Sequence, residues 1–161
     1  MNRDVRPPDL ADVFSRLASM PGFLDAALAR ADRSLLARRA ADGGFSLVEH
    51  ACHLRDLERE GYLLRVMRLL AEDRPVLQGF AGDRIAEERD YQSQDAAAAA
   101  RDFAAARAEV LRVARSLGAG ELARAGEFAG RPVSLAGVLA MAGDHDAEHR
   151  SQIDRLLAEL G

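Results

Sequence analysis

The sequence predicts an all-α fold, a four-helix bundle, on three observations. Four stretches of the 161 residues repeat their apolar positions at helical spacing, almost nothing reads as strand, and the connections between the stretches are short or medium in length. The first stretch covers about residues 8–31, with Leu10, Val13, Phe14, Leu17, Leu24 and Leu28 on one stripe. Pro7-Pro8 suits its start, and Pro21-Gly22 is where it would bend or divide. A short helical piece over 34–41 precedes the breaker Asp42-Gly43-Gly44. The second long helix follows from Ser46, which with Glu49 spells the reciprocal capping box Ser-x-x-Glu, and it runs to about Ala71, before Pro75. Residues 73–94 form the longest irregular stretch, with room for one short helix near 83–90.

The third helix spans about 95–117. It is rich in alanine, the strongest helix former, and its heavier apolar residues are Phe103, Val110, Leu111, Val113 and Leu117. Gly118-Ala119-Gly120 stops it, and residues 126–132 read as a further loop. The fourth helix begins at Ser134 and runs nearly to the end, with Leu135, Val138, Ala142, His149, Ile153, Leu156 and Leu160 on one stripe. With no internal repeat and no dividing linker, residues 1–161 read as one domain.

Composition narrows the function classes. No apolar run is long enough to span a bilayer, and residues 1–8 lack the apolar stretch of a secretory signal. The single cysteine, Cys52, has no internal partner, which suits a reducing compartment, so the expected location is cytoplasmic. A net charge of −4, arginines scattered among acids, no tryptophan and 5% aromatic residues argue against nucleic acid or an anionic membrane as partner.

The chemistry gathers at the four histidines. His50-x-x-His53 lies on the second helix and His145-x-x-x-His149 on the fourth, and residues three or four apart share a helix face. The fourth-helix pair falls on the inward stripe. On the second helix, His50 and His53 flank the face formed by Leu57, Gly61 and Leu64. A lone inward histidine is usually a packed core residue; two clusters aimed into one bundle point to a metal site between facing helices. Spacing leaves open whether His50 or His53 joins the fourth-helix pair.

Glu49 lies four residues before His53 and is either a base near the ion or simply the capping-box partner, the reading we prefer. Asp56, Asp144, Asp146 and Glu148 could orient ligand rings, although most read as solvated charges, and Gln152 either packs or lines a pocket. Cys52 points about 100° away from His53 and reads as core. His145-Asp-Ala-Glu148-His149 also spells the inverted zinc-protease pattern, but only twelve residues follow it, too few for the further helix that reading needs.

The stretch Phe45-Ser-Leu-Val-Glu-His-Ala-Cys-His53-Leu-Arg-Asp-Leu-Glu58 resembles the second-helix motif of the DinB/YfiT-like metal-binding superfamily, in which a Ser-x-x-Glu start precedes His-Leu-x-x-x-Glu. Asp144-His145-Asp-Ala-Glu-His149-Arg-Ser-Gln152-Ile153 resembles its fourth-helix His-x-x-x-His-x-x-Gln-Ile motif, and the likeness covers nearly the whole chain. The resemblance implies a DinB-like bundle whose metal ligands are His53, His145 and His149, with His50 outside the triad. It further implies a low-molecular-weight thiol as small-molecule substrate; three imidazoles as ligands suit one divalent ion, zinc, nickel, iron or copper, without naming which. A metal-dependent thiol transferase, or a hydrolase on the same site, is the function expected from it, and a homodimer is common among look-alike proteins. The alternatives are a non-catalytic metal-binding stress or interaction module, and a plain bundle whose histidines only pack.

Overall fold

A computed structural model describes residues 6–161; the start of the N-terminal segment read above, residues 1–5, lies outside them. Helix α1 (Leu10–Arg30) starts after Asp9, whose carboxylate accepts the Ala11 and Asp12 N–H groups. Pro21 does not divide it. A proline here removes the N–H that would have bonded the Leu17 carbonyl, and the Arg107 guanidinium donates to that carbonyl instead, at 2.9 Å. The helical piece expected over 34–41 shrinks to one 3₁₀ turn, Arg33–Leu35, capped by Asp32.

The Ser46–Glu49 capping box forms as read and opens α2 (Leu47–Leu57). This helix passes through a π segment (Glu58–Leu63) into α3 (Leu64–Ala71), with helical backbone at both junctions. The wider turn admits one extra residue and rotates everything beyond it. The expected stripe Leu57–Gly61–Leu64 is broken as a result: Leu57 and Gly61 are buried, Leu64 is 49% exposed, and Arg65, Val66 and Leu69 turn inward instead.

Between residues 73 and 94 lie strand β1 (Val76–Leu77) and helix α4 (Gly82–Glu88). The segment is fastened to α2 by Asp56, which accepts from the Tyr91 hydroxyl (2.5 Å), Arg89 (2.8 Å) and Arg55 (2.7 Å). Helix α5 (Ala96–Arg115), capped by Asp95, packs against both α1 and α2; a short α6 (Ala119–Leu122) follows. The residues expected to be a loop at 126–132 instead form a hairpin, β2 (Ala125–Phe128) and β3 (Arg131–Ser134). Its two central residues, Ala129 (φ 51°) and Gly130 (φ 75°), adopt the left-handed backbone that a tight hairpin turn demands. β1 joins β2 in parallel, so β3 is an edge strand, where Pro132 is tolerated. Ser134 then caps α7 (Leu135–Leu160), which packs against α1 and reaches α2 and α3.

Four long helices therefore enclose the core, and the fold is the expected four-helix bundle with a small three-stranded sheet added at one end. The core is two apolar clusters. One includes Met20, Leu24, Leu47, Phe103 and Ile153, the other Leu17, Leu57, Val110, Leu135 and Leu139. Along α2, α5 and α7, the chain crosses from one cluster to the other where Glu58, Arg107 and Asp146 stand, so a buried polar layer separates them. No helix among the described residues is long and apolar enough to cross a membrane.

Candidate metal centre

α2 and α7 bring three imidazoles to one point. Nε2 of His53 lies 3.3 Å from Nε2 of His145, which lies 3.0 Å from Nε2 of His149, and one nitrogen from each of the three falls within 4.8 Å of the others. Ligands at about 2.0–2.1 Å around a tetrahedral ion stand about 3.3 Å apart, so these separations suit a single cation. His145 and His149 are one helical turn apart on α7, whereas His53 arrives from the facing helix, and only the packing of α2 on α7 assembles the set.

The rings are held neutral. Burial, above all, lowers His53 and His145 from the ordinary value of 6.5 to about 4; charge on Arg107 and Arg65 adds to the effect at His145. Burial and the neighbouring histidines push His149 further down. A neutral imidazole is the form that binds a metal. Phe45 and Phe80 pack on the His53 ring at centroid distances of 5.4 and 5.8 Å, and Tyr62 stands 6.2 Å from that of His145. Nδ1 of His53 is buried without a hydrogen-bond partner. A cavity of about 750 Å³ adjoins the site, with His50, His53, His149, Glu148, Gln152 and Arg155 among its walls.

These protonation states set an acid limit on stability. In the metal-free protein, His50 (lowered to about 3), His53 and His145 all titrate below their unfolded value, so protons bind the unfolded chain first as pH falls. Stability is therefore full above about 6.5 and declines on acidification toward pH 4, by up to about 1.4 kcal/mol per pH unit for each such histidine. Glu58 and Asp146, whose carboxyls burial pushes up, act in the opposite sense but are outnumbered. Urea unfolding in the presence of a chelator between pH 7.5 and 4.5 measures the net decline.

The helix that follows β1 is fitted to the site. A Cβ at Gly82 would stand 2.7 Å from Cε1 and 3.0 Å from Nδ1 of His53, closer than packed atoms allow. Gly82→Ala is expected to cost about 1–3 kcal/mol of stability, as overpacking does, and to weaken zinc binding because α4 or the His53 ring must give way. Urea unfolding and zinc titration of the variant test both effects.

The other residues singled out in the sequence sort clearly. Glu49 is buried in the capping box and paired with Arg39 at 2.9 Å, so it does not reach the histidines as a base. Cys52 is buried in the core, its thiol pushed up to about 11 by burial, which removes it as a nucleophile. Asp144 is exposed beside Arg16, and Glu148 and Gln152 line the cavity. Asp56 and Asp146 are not solvated charges: Asp56 is buried against Arg55, Arg89 and Tyr91, and Asp146 against Arg107. His50, outside the triad, is not a bystander either, because its Nδ1 meets Nδ1 of His149 at 2.8 Å.

Arg107 is singled out by no motif or spacing in the sequence. It is 1% exposed and bridges Glu58 (2.6 and 2.9 Å) to Asp146 (2.6 and 3.0 Å), one residue from His145. A lone arginine in an alanine-rich stripe, on the same face as Phe103 and Val110, was the available signal.

Residues 16–153 match the family model of the DinB superfamily. Among solved structures, YfiT from Bacillus subtilis, described as a probable metal-dependent hydrolase with an unusual four-helix bundle topology, aligns at a TM-score of 0.88 and 18% identity, over 100% of this chain and 93% of that chain. At this identity the likeness speaks for the fold. No curated protein sequence matches. With the family model covering most of the chain and the bundle matching throughout, the chain belongs to the DinB superfamily.

Proposed function

We propose that His53, His145 and His149 hold one divalent cation through Nε2, and that the site belongs to an enzyme that activates a low-molecular-weight thiol for attack on an electrophile. The observation that carries this reading is the convergence of three neutral Nε2 atoms, two on buried rings and one on a half-buried ring, beside a cavity sized for a small molecule. Bound there, a divalent cation supplies Lewis acidity and lowers the pKa of a thiol or water that shares its coordination sphere. The chain's own residues do the rest. Three uncharged ligands leave the cation's charge undiminished, and the Arg107–Asp146 ion pair ties α5 to the stretch of α7 that carries two of them. Phe45, Phe80 and Gly82 pack around His53 and limit water there. Arg155, Glu148 and Gln152 offer the cavity both charges and an amide, which suits a polar, charged thiol compound.

Glu49 favours the thiol over water. It is spoken for by Ser46 and Arg39, and without that base a thiol, with an ordinary pKa of about 8.5, is far easier to activate than water. The hydrolytic reading draws on the description of YfiT and would use Asp83 or Glu148, at the cavity wall, as base. Protein purified without an affinity tag is expected to carry one equivalent of zinc, nickel or iron by elemental analysis. Metal-loaded protein is expected to consume electrophile in a thiol-dependent manner, and His53→Ala to abolish turnover. Stoichiometric metal with no turnover across thiol, electrophile and ester panels leaves a non-catalytic metal-binding module.

A further inference from the structure

Three of the four histidines are used by the metal reading, and the fourth is buried against them. His50 is 1% exposed yet lines the cavity. Its ring stands at 88° to that of His149 with centroids 5.0 Å apart, the Nδ1 atoms 2.8 Å from one another, while Phe45 lies edge-on to it at 5.6 Å. Two bare nitrogens at 2.8 Å would oppose lone pairs, and two protonated ones would oppose hydrogens, so a single proton lies between them.

The far side of His149 decides which ring owns that proton. Its Nε2 is the atom that meets Nε2 of His145, so a cation in the site takes the Nε2 lone pair and leaves the ring's proton on Nδ1. Nδ1–H of His149 then donates to His50, whose Nδ1 must be bare, and His50 carries its own proton on Nε2. The bond to His149 is the only hydrogen bond the His50 ring makes among the described residues, which leaves Nε2 free for something else.

We propose that His50 is a positioning residue: it accepts Nδ1–H of His149, orienting that ring toward the cation, and thereby holds its own Nε2–H at the cavity as a fixed donor to an oxygen or thiolate sulfur of a bound ligand. This rests on the metal reading above. An acceptor-bearing ligand suits the thiol compound or its electrophile, and the donor exists in this orientation because metal binding selects the tautomer.

The test is long-range ¹H–¹⁵N NMR of the histidine rings in the zinc-loaded, unaltered protein. The expected pattern is His149 with zinc on Nε2 and a proton on Nδ1, and His50 as the Nε2–H tautomer, with scalar coupling across the two Nδ1 atoms. His50 found protonated on Nδ1, while zinc sits on Nε2 of His53, His145 and His149, overturns this inference and leaves the metal reading standing. Zinc absent from those three nitrogens overturns both. Two variants give a second readout. His50→Asn keeps an acceptor near the Nδ1 position and lacks the Nε2 donor; His50→Leu lacks both. Zinc Kd is expected to rise about 10–100-fold in His50→Leu and to stay close to the parent in His50→Asn. Equal losses in the two variants overturn the positioning role.

Discussion

Replacing His145 by alanine is expected to weaken zinc binding by about 10²–10³-fold while the metal-free protein keeps its helical content. A tetrahedral zinc site built by a protein is worth about 10–16 kcal/mol, so each of three or four ligands carries on the order of 3–4 kcal/mol, and 1.4 kcal/mol is a factor of ten. His145 is the informative position because its Nε2 is the one at 3.3 Å from His53 and 3.0 Å from His149. It is also only partly buried, so its removal leaves a smaller void than loss of His149 would. Without metal, the variant loses one of the rings that burial holds neutral, and its stability should fall less steeply than the parent's on acidification. Competition with a chromophoric chelator measures the affinity and circular dichroism the fold. A variant that binds zinc as the parent does would place the site elsewhere.

Arg107→Met is expected to be the most destabilising single substitution away from the site, at about 3–5 kcal/mol. The guanidinium is 1% exposed, and Glu58 and Asp146 are 2% and 3% exposed at their side chains. Taking away the cation leaves two carboxyls buried without a counter-charge and the Leu17 carbonyl, already deprived of its helical partner by Pro21, without a donor. Burial raises both carboxyls even with Arg107 present, and removing it raises them further. Groups whose folded pKa is raised contribute stability at low pH and lose it as pH rises, so the deficit against the parent should shrink as pH falls toward 5. Urea unfolding of Arg107→Met at pH 7.5 and 5.5 checks the size and the sign. The triple variant Glu58→Gln, Arg107→Met, Asp146→Asn should recover part of the loss, because replacing a whole buried ionic group costs far less than breaking it.

The contrast between these two sites shows how legible each was. The histidines announced themselves by number and spacing: four in the chain, all in pairs at helical intervals. The choice of His53 over His50 came from the family resemblance, since both stand on one face of α2 and spacing alone treats them alike. The structure brings both into the cluster, with His53 Nε2 at the triad and His50 one hydrogen bond behind it. Arg107 gave no comparable sign, because its partners lie 49 and 39 residues away in the chain. The π segment was equally silent. Its one departure from helical composition is Gly61, which an ordinary helix also tolerates, and the extra residue in the turn is accommodated by packing and by the Glu58–Arg107 pair.

Strands β1, β2 and β3 were missed for a related reason. At two and four residues they are too short to show alternation, and Gly126 and Pro132 read as breakers where they serve as a close approach to the Pro75 carbonyl and an edge position. What the amino-acid sequence determined alone is what propensity, capping and period encode within a few residues: the four helices, their Ser46, Asp95 and Ser134 starts, and the pairing of histidines on helix faces. What only the tertiary structure decided is every relation across long separations: the rotation of α3, the buried arginine bridge, and the convergence of His53 with His145 and His149. Those depend on which helices pack together, a property of the summed burial of the whole chain and not of any local run of residues.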